Sequence, residues 1–385
     1  MIAYNIIDLD NRVVQDQAGK AYEKKCISPE EREKIKVRYP CGFYTPNMYM
    51  RIGLFLLTLV IVAFSVGLLA FMILMANGNG FGSLMIFCGL ASYVVLEYMV
   101  RGKKHFRSGV ADGLLWMAVI LLVSGLVVVM EPGYLVGYMI VLVFAFGGWL
   151  RFSDRVMALV AYAALLGVVF YLVPHLGEMG KLIMSFVLMG VSVAVYFLCV
   201  PFSSDERARH YHDSLVLIKA ACLISFYLAG NYFVVREAGI AFFNRGADAI
   251  VPMGWLFWTL TIVTPLFYLY HGIQKKDRVY LWVGLGLIAA TVYTIRHYYR
   301  ILPIELAMTI GGILLILIAY VVNTYLKNPR QGFTSAETND RHWIESPHIE
   351  SLIIAETLAP VASPAESDFR FGGGSGGGGG AGGDY

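Results

Sequence analysis

The sequence predicts an all-α fold, a polytopic bundle of about ten transmembrane helices with both termini in the cytosol. Ten apolar runs follow one another between Ile52 and Tyr325, and each is about long enough to cross a bilayer. A hydrocarbon core of about 30 Å takes about 20 helical residues, because an α-helix rises about 1.5 Å per residue. Of all residues 58% are hydrophobic and 15% are charged, whereas soluble domains carry about 25% charged residues.

The predicted spans are separated by charged, proline-containing or glycine-rich turns. They cover residues 52–75, 81–99, 113–129, 134–150, 156–173, 182–200, 214–235, 253–270, 279–295 and 304–325. Spans three and four are short, and the turn Glu131-Pro132-Gly133 between them cannot lie in hydrocarbon unsatisfied. We interpret it as a tight hairpin at the interface; a re-entrant pair is the alternative and would leave eight crossings.

The basic residues predict the orientation of the chain. Of its 30 Lys and Arg residues, 24 fall on the side that holds the N-terminus if the spans alternate. Five fall on the other side (Lys181, Arg236, Arg245, Arg296 and Arg300), and Lys219 lies in a span. Because basic residues are retained in the cytoplasm, this split favours cytosolic termini.

Residues 1–50 form a polar segment ahead of the bundle, which occupies residues 51–326. Helices are predicted at Val13 to Lys25 and at Pro29 to Arg38, with Ser28 as N-cap of the second and Glu31 closing a capping box. A thin apolar stripe indicates that this segment docks on the membrane body; a dedicated module for a cytosolic partner is the alternative.

Residues 327–385 form a polar tail that ends in a Gly-rich stretch after Phe371. Such a stretch does not repay the entropy of ordering, so we expect a cytosolic disordered tail. It acts either as a solvated tether or as a contact for a cytosolic protein.

Part of the N-terminal segment resembles the sequence of a known group of proteins. Cys26-Ile27-Ser28-Pro29-Glu30-Glu31, followed by Ile35 and Tyr39-Pro40 and then by many spans, resembles the opening of uncharacterised bacterial predicted membrane proteins of unknown function. The Gly-rich end is similar to tails of other bacterial membrane proteins, including those with a TPM domain, which this chain lacks. The resemblance implies a bacterial inner-membrane protein and assigns no catalytic residue.

One histidine cluster is the best candidate for metal chemistry. His210 and His212 stand near Glu206 and Asp213, just before the seventh span. Histidines at i and i+2 point to different faces of a helix, so they could share one metal only from an extended loop. We therefore predict a solvated loop, with no metal, no cofactor and no catalytic residue assigned.

The cluster Gly78-Asn79-Gly80-Phe81-Gly82 is predicted to be a turn, because it joins two spans rather than a strand and a helix.

Intramembrane polar residues test the transporter class. Glu97, Lys219 and Glu305 lie near span ends and are predicted to anchor the interface rather than to relay protons. Asn231 lies deeper and is predicted to bond a neighbouring helix. Pro265 should free a backbone carbonyl that either lines a cavity or is bonded by Thr261. The segment from Arg236 to Pro252 is predicted to lie along the outer interface.

These observations favour a non-enzymatic protein with a sensory, scaffolding or partner-binding role in the bacterial inner membrane. A transporter of a neutral or weakly charged small molecule is the alternative, and a membrane-embedded enzyme resting on His210 is third. Five cysteines indicate no disulfide framework, and the interleaved N-terminal charges do not support nucleic-acid binding. A polar cavity reaching the membrane midplane would favour the transporter.

Overall fold

The computed structural model describes residues 2–23, 25–75, 80–243, 246 and 251–298, with six isolated residues between 309 and 324. The chain divides into two units, Met1–Thr324 and Tyr325–Tyr385, and the described residues belong to the first. Regular structure in these residues is entirely helical, which confirms the all-α class. The predicted tenth span at 304–325, those isolated positions apart, and the tail at 327–385 lie outside the described residues.

Two helices precede the first apolar one, α1 (Ile6–Glu23) and α2 (Pro29–Arg38). The capping box predicted for α2 is confirmed. Ser28 Oγ accepts the Glu31 N–H at 3.2 Å, and the Glu31 carboxylate accepts the Ser28 N–H at 2.8 Å.

The predicted start of α1 at Val13 was wrong, since the helix begins seven residues earlier in the chain at Ile6. Asn5 provides the cap: its Oδ1 accepts the Ile7 N–H at 3.0 Å and its carbonyl accepts the Leu9 N–H at 3.1 Å. A cap of this kind offsets the orphan donors of a first turn.

Nine helices of the described part are long and apolar enough to cross a membrane, so the chain is a multi-pass helical membrane protein. In chain order these nine are α3 (Met48–Met75), α4 (Phe81–Arg101), α5 (Val110–Met130), α6 (Tyr134–Phe152), α7 (Arg155–Leu172), α8 (Glu178–Ser204), α9 (His212–Gly230), α11 (Gly254–Lys275) and α12 (Arg278–Tyr298). The shorter helix α10 (Tyr232–Phe243) lies between α9 and α11 in the chain.

The third and fourth predicted spans correspond to helices of full length. α5 has 21 residues and α6 has 19, so at about 1.5 Å per residue each matches a core of about 30 Å. Glu131 ends α5 in the left-handed conformation, with a φ of 43°. These lengths favour the hairpin over the re-entrant pair.

The C-terminal boundary of the seventh predicted span, 214–235, was wrong. α9 ends at Gly230, Asn231 is extended, and α10 follows from Tyr232. Asn231 Oδ1 accepts the Val234 N–H at 3.2 Å and so acts as the N-cap of α10. Part of the predicted interfacial segment 236–252 is therefore helical, while residues 244, 245 and 247–250 lie outside the described part.

Consecutive helices pack as antiparallel pairs, α4 with α5, α6 with α7, α8 with α9 and α11 with α12. α9 also contacts α7, α11 and α12, so it lies at the centre of the second half of the bundle. Glycines allow the closest approach: a Cβ at Gly89 would lie 2.9 Å from the backbone nitrogen of Leu122. Small residues at helix contacts serve this purpose in membrane proteins.

The N-terminal segment docks on one end of the bundle, which we call the docked end; the opposite end is the far end. The Tyr4 ring is buried and packs edge-on against Phe106 with 4.9 Å between ring centroids, and it also meets Phe43 and Phe152. The Ala3 N–H donates to the Arg151 carbonyl at 2.8 Å. The predicted docking is confirmed, with Tyr4 and Leu9 rather than the thin stripe at its centre.

Candidate functional site

A cavity of about 540 Å³ opens among α7, α8, α9, α10 and α11 in the far half of the bundle. This volume lies within the range of about 300–1,000 Å³ that small-molecule sites occupy. Most of its wall is apolar: Tyr138, Ala163, Leu166, Gly167, Phe170, Leu182, Met184, Leu188, Leu228, Ala229, Val234, Val235, Ala238, Gly239, Phe242, Phe243, Val251, Pro252 and Phe257. Lys181, Ser185, Ser192 and Ser225 contribute the polar side chains.

The polar side chains follow one face of α8. Lys181, Ser185 and Ser192 are spaced by four and then seven residues, so they project from the same side of the helix. At about 1.5 Å per residue, Ser192 lies about 16 Å further along the helix axis than Lys181. The cavity therefore extends from the far end to about the middle of α8.

Two hydroxyl groups, those of Ser192 and Ser225, line the inner end of the cavity, and the Tyr162 hydroxyl contacts both of them. The buried Tyr162 hydroxyl lies 3.2 Å from Ser192 Oγ and 3.0 Å from Ser225 Oγ, to which it can donate its single proton. The two serine hydroxyls donate to carbonyls of their own helices, those of Leu188 and Ala221. All three protons are therefore in use, while lone pairs remain on the oxygens. This floor is suited to accept a hydrogen bond from a ligand.

The helix α10 covers the cavity at the far end. Its residues Val234, Val235, Ala238, Gly239, Phe242 and Phe243, which recur at helical spacing, all line the cavity. Phe243 stacks on Phe170 of α7 with 6.2 Å between ring centroids, and Phe242 packs edge-on against the same ring at 5.1 Å. An amphipathic helix thus closes the gap between α7 and α9.

The bundle is packed between the floor of the cavity and the docked end. Tyr162 belongs to a buried cluster with Ala158, Cys199, Leu215, Ile218 and Cys222. The polar Lys219 lies at the docked end of this region, where its Nζ is 3.3 Å from Ser203 Oγ. Within the part of the bundle that the structure describes, the cavity therefore lies toward the far end.

Asn231 makes the interhelical contact that was predicted for it. Its Nδ2 donates to Tyr227 Oη at 2.9 Å and to Thr294 Oγ1 of α12 at 3.1 Å. The side chain is 2% exposed, so these contacts satisfy an amide that would otherwise be costly to bury. The polar group fixes the junction between α9, α10 and α12.

The carbonyl freed by Pro265 is that of Thr261, four residues earlier in α11. Its partner was predicted wrongly: Thr291 Oγ1 of α12 lies 3.0 Å from it, whereas the Thr261 hydroxyl donates to the Phe257 carbonyl. Thr261 Oγ1 instead accepts the Tyr232 N–H at 3.0 Å. The proline therefore ties α11 to α12 and does not line the cavity.

The histidines of the candidate metal cluster do not converge. His210 Nε2 lies 3.1 Å from Asp10 Oδ1 of the docked segment, whereas His212 is exposed at the start of α9. Asp213 contacts Arg107 and Arg155 instead. The side chain of Glu206 lies outside the described part. Among described residues there is no group of three or more His, Cys, Asp or Glu side chains placed to hold a metal.

Glu97 is held by ion pairs near the docked end of α4. Its Oε1 accepts from Arg151 at 2.8 Å and from the Tyr93 hydroxyl at 3.0 Å, and its Oε2 lies 2.8 Å from Arg101 Nε. This position is that of a structural anchor. Glu305 lies outside the described residues, as do Gly78 and Asn79 of the predicted glycine turn. Gly80 of that turn is the N-cap of α4, and its last two residues already belong to the helix.

The sequence did not indicate the cavity. Most of its lining residues are alanine, glycine, valine, leucine and phenylalanine, which are also the residues of lipid-facing surfaces and of helix contacts. One pattern could have pointed to it, the placement of Lys181, Ser185 and Ser192 on one face of an otherwise apolar span. Hydroxyls on such a face are also common at ordinary helix contacts.

Comparison with known proteins adds no relative, since no family model, curated protein or solved structure matches this chain. The fold alone therefore defines the class, a multi-pass membrane protein built of apolar helices. The resemblance of residues 26–40 to bacterial membrane proteins stays a prediction.

Proposed function

We propose that this chain is a non-enzymatic, multi-pass protein of the bacterial inner membrane that binds a small, largely apolar molecule in the cavity below α10. In this proposal the bound molecule is sensed, and cytosolic partners respond through the N-terminal segment or the C-terminal tail. The cavity carries the proposal, because apolar walls with a few convergent polar groups are the common form of a ligand site.

The charge distribution supports an orientation with the docked end in the cytosol. If the predicted spans alternate, 24 of the 30 Lys and Arg residues fall on the side of the N-terminal segment. The cavity then opens toward the outer leaflet and the outer surface of the membrane. Cysteine labelling tests this in a background where the exposed Cys26 is replaced by serine: an impermeant reagent added to intact cells should modify Glu178→Cys but not Glu33→Cys. Modification of Glu33→Cys would overturn the orientation.

The chemistry of the lining residues indicates which class of ligand the cavity can bind. The body of the ligand is apolar, and its inner end carries a hydrogen-bond donor such as a hydroxyl or an amine, since the floor serines Ser192 and Ser225 offer acceptors. Lys181 stands at the outer end, paired with Glu178 at 2.6 Å. The side chain of Glu178 is 84% exposed, so this pair is easily exchanged for a polar group of the ligand.

Thermal melting of the purified protein with dodecanol, dodecylamine and dodecane tests binding and the role of the floor. The alcohol and the amine should raise the melting temperature more than the alkane. Ala163→Phe, which fills the cavity, should abolish the rise, whereas Ala63→Phe on the exposed face of α3 should keep it. Equal rises in both variants would refute binding in the cavity.

A matched pair of serines tests the floor. Ser225→Ala removes a lining hydroxyl and should lower affinity for the alcohol to that for the alkane. Ser65→Ala removes a hydroxyl that also bonds its own helix, to the Ile61 carbonyl at 2.8 Å, but lies exposed on α3. Ser65→Ala should have no effect, and an equal loss in both variants would contradict the assignment.

A transporter of a neutral molecule is the second candidate. The observation that favours it is the depth of the cavity, which ends near mid-helix as in one state of an alternating-access carrier. Uptake of a radiolabelled alcohol cannot test this, because it crosses lipid unaided. Crosslinking α10 to α7 through Phe242→Cys and Phe170→Cys can test whether the protein is a carrier. A carrier needs the contact between these helices to open during each cycle, whereas a sensor with bound ligand keeps the contact closed.

A further inference from the structure

We propose that a second binding site lies at the docked end, where Arg12, Arg107 and Arg155 together bind a phosphate group. The phosphate can belong to an anionic lipid headgroup or to a soluble phosphate compound. This inference is independent of the cavity and of the function proposed for it.

The three arginines come from separate parts of the chain. Arg12 lies on α1, Arg107 in the loop between α4 and α5, and Arg155 at the start of α7. The guanidinium carbons of Arg12 and Arg107 lie 4.6 Å and 5.4 Å from the centre of the Phe106 ring. Arg107 and Arg155 both contact Asp213, on the same oxygen, Oδ2. Docking of α1 therefore gathers three positive charges around one aromatic ring and one carboxylate.

The carboxylates that face this cluster leave donors unused. Asp213 offers one oxygen to two guanidinium groups, and Asp16 Oδ2 is 3.7 Å from Arg12 Nε, beyond hydrogen-bond distance. Asp154 also faces Arg107, but its Oδ1 is held as the N-cap of α7 by the Met157 N–H at 2.8 Å. Among the described residues, the buried Nη1 of Arg12 and the buried Nε of Arg155 have no hydrogen-bond acceptor.

The electrostatics of Arg107 agree with this geometry. Burial lowers the pKa of its guanidinium, and the nearby charge of Arg155 lowers the pKa further, while Asp213 opposes the change. Burial likewise raises the pKa of Asp154, which disfavours its charged form. The guanidinium groups of Arg12 and Arg155 therefore repel that of Arg107, and a further anion beside them would relieve this repulsion.

Phosphate is the anion that this arrangement fits best. A guanidinium presents its N–H donors in a planar fork that matches the oxygens of a phosphate, and such charge-assisted pairs are among the stronger hydrogen bonds. Three guanidinium groups gathered beside one ring and one carboxylate offer enough donors for a group with three or four terminal oxygens. A small monovalent anion would leave most of these donors unpaired.

Binding can be measured on the full chain in two arms. In the soluble arm, inorganic phosphate and pyrophosphate are titrated against protein in detergent, and the melting temperature is followed. In the lipid arm, protein in nanodiscs of phosphatidylcholine is compared with protein in nanodiscs that also contain phosphatidic acid. Stabilisation in the soluble arm assigns a soluble phosphate compound, and stabilisation in the lipid arm alone assigns a lipid headgroup.

Matched variants locate the site. Arg155→Gln should weaken binding by about tenfold or more, because a charge-assisted contact is lost. Arg38→Gln, which removes the same charge from the exposed end of α2, should leave affinity unchanged. Asp213→Asn should strengthen binding, since it releases two guanidinium groups from a competing carboxylate. That gain of affinity cannot come from misfolding.

Two outcomes would overturn the proposal. One is the absence of stabilisation of the wild-type protein in both arms. The other is an equal loss of affinity in Arg155→Gln and Arg38→Gln without a gain in Asp213→Asn, which would show a diffuse response to net charge.

Discussion

Replacing Asn231 with alanine tests whether the polar junction of α9, α10 and α12 stabilises the second half of the bundle. The change removes the cap of α10 and the donors to Tyr227 and Thr294. Loss of an N-cap costs about 1 kcal/mol. Hydrogen bonds between membrane helices contribute about 0.6 kcal/mol on average, with a maximum of about 1.7 kcal/mol. We therefore expect the free energy of unfolding to fall by about 2 kcal/mol.

The control is Asn47→Ala, which removes a cap without an interhelical bond. Asn47 Oδ1 accepts the Met50 N–H at 3.0 Å, and the residue is exposed ahead of α3. Its loss should cost about 1 kcal/mol or less. Both variants can be compared by reversible unfolding in mixed micelles with increasing dodecyl sulfate.

A double-mutant cycle with Thr294→Val then isolates the interhelical term. The coupling between Asn231 and Thr294 should be about 0.6–1.7 kcal/mol. If Asn231→Ala costs no more than Asn47→Ala, or if the coupling is zero, the reasoning that a buried amide joins these helices is refuted.

Three further predictions concern other parts of the bundle. Thr291→Ala should lower the free energy of unfolding by about 1 kcal/mol, because it leaves the Thr261 carbonyl without its partner, and Pro265→Ala should reduce that loss by restoring a backbone donor. The control in unfolding measurements is Thr259→Ala, which removes an exposed hydroxyl from α11, the helix that contains Thr261 and Pro265. Tyr4→Ala should release the N-terminal segment, because truncating a buried aromatic side chain to alanine costs about 3–5 kcal/mol. Limited proteolysis should then cut within residues 1–50, while the melting temperature of the bundle stays the same. Tyr22→Ala should leave the proteolysis pattern unchanged. Burial lowers the pKa of His105, so the folded state binds the proton less well than the unfolded state. The unfolding free energy should therefore fall as the pH drops below about 6.5, and it should fall less in His105→Gln.

Local features of the sequence were sufficient for the class of the fold. Hydropathy over about 20 residues is a property of a continuous stretch, so nine of the predicted spans fall on helices that the structure describes. The capping box of Ser28 and Glu31 was predictable for the same reason, since both partners lie within four residues of each other. The start of α1 was missed because the polar Asn5 precedes a stretch whose apolar periodicity is weak.

The partners of the intramembrane polar groups depended on the tertiary structure. Hydropathy continues past Asn231 to Val235, so the sequence predicted one long span; the helix ends at Gly230, where Thr294, 63 residues away, accepts the Asn231 amide. Pro265 predicts a free backbone carbonyl four residues earlier in the helix, but only the register of α12 places Thr291 beside that carbonyl. The same holds for Arg12, Arg107 and Arg155, which are separate basic residues in the sequence.

The sequence by itself therefore determined that the chain is a multi-pass helical membrane protein, because the length and hydrophobicity of each helix are local properties that the bilayer selects. The cavity was decided only by the tertiary structure. Small residues such as Ala163 and Gly239 leave space only when their helices face each other, and hydroxyls such as Ser192 and Ser225 form a floor only when α8 and α9 bring them to one depth beside Tyr162. These relations depend on the register and rotation of neighbouring helices, which the composition of a single helix does not specify.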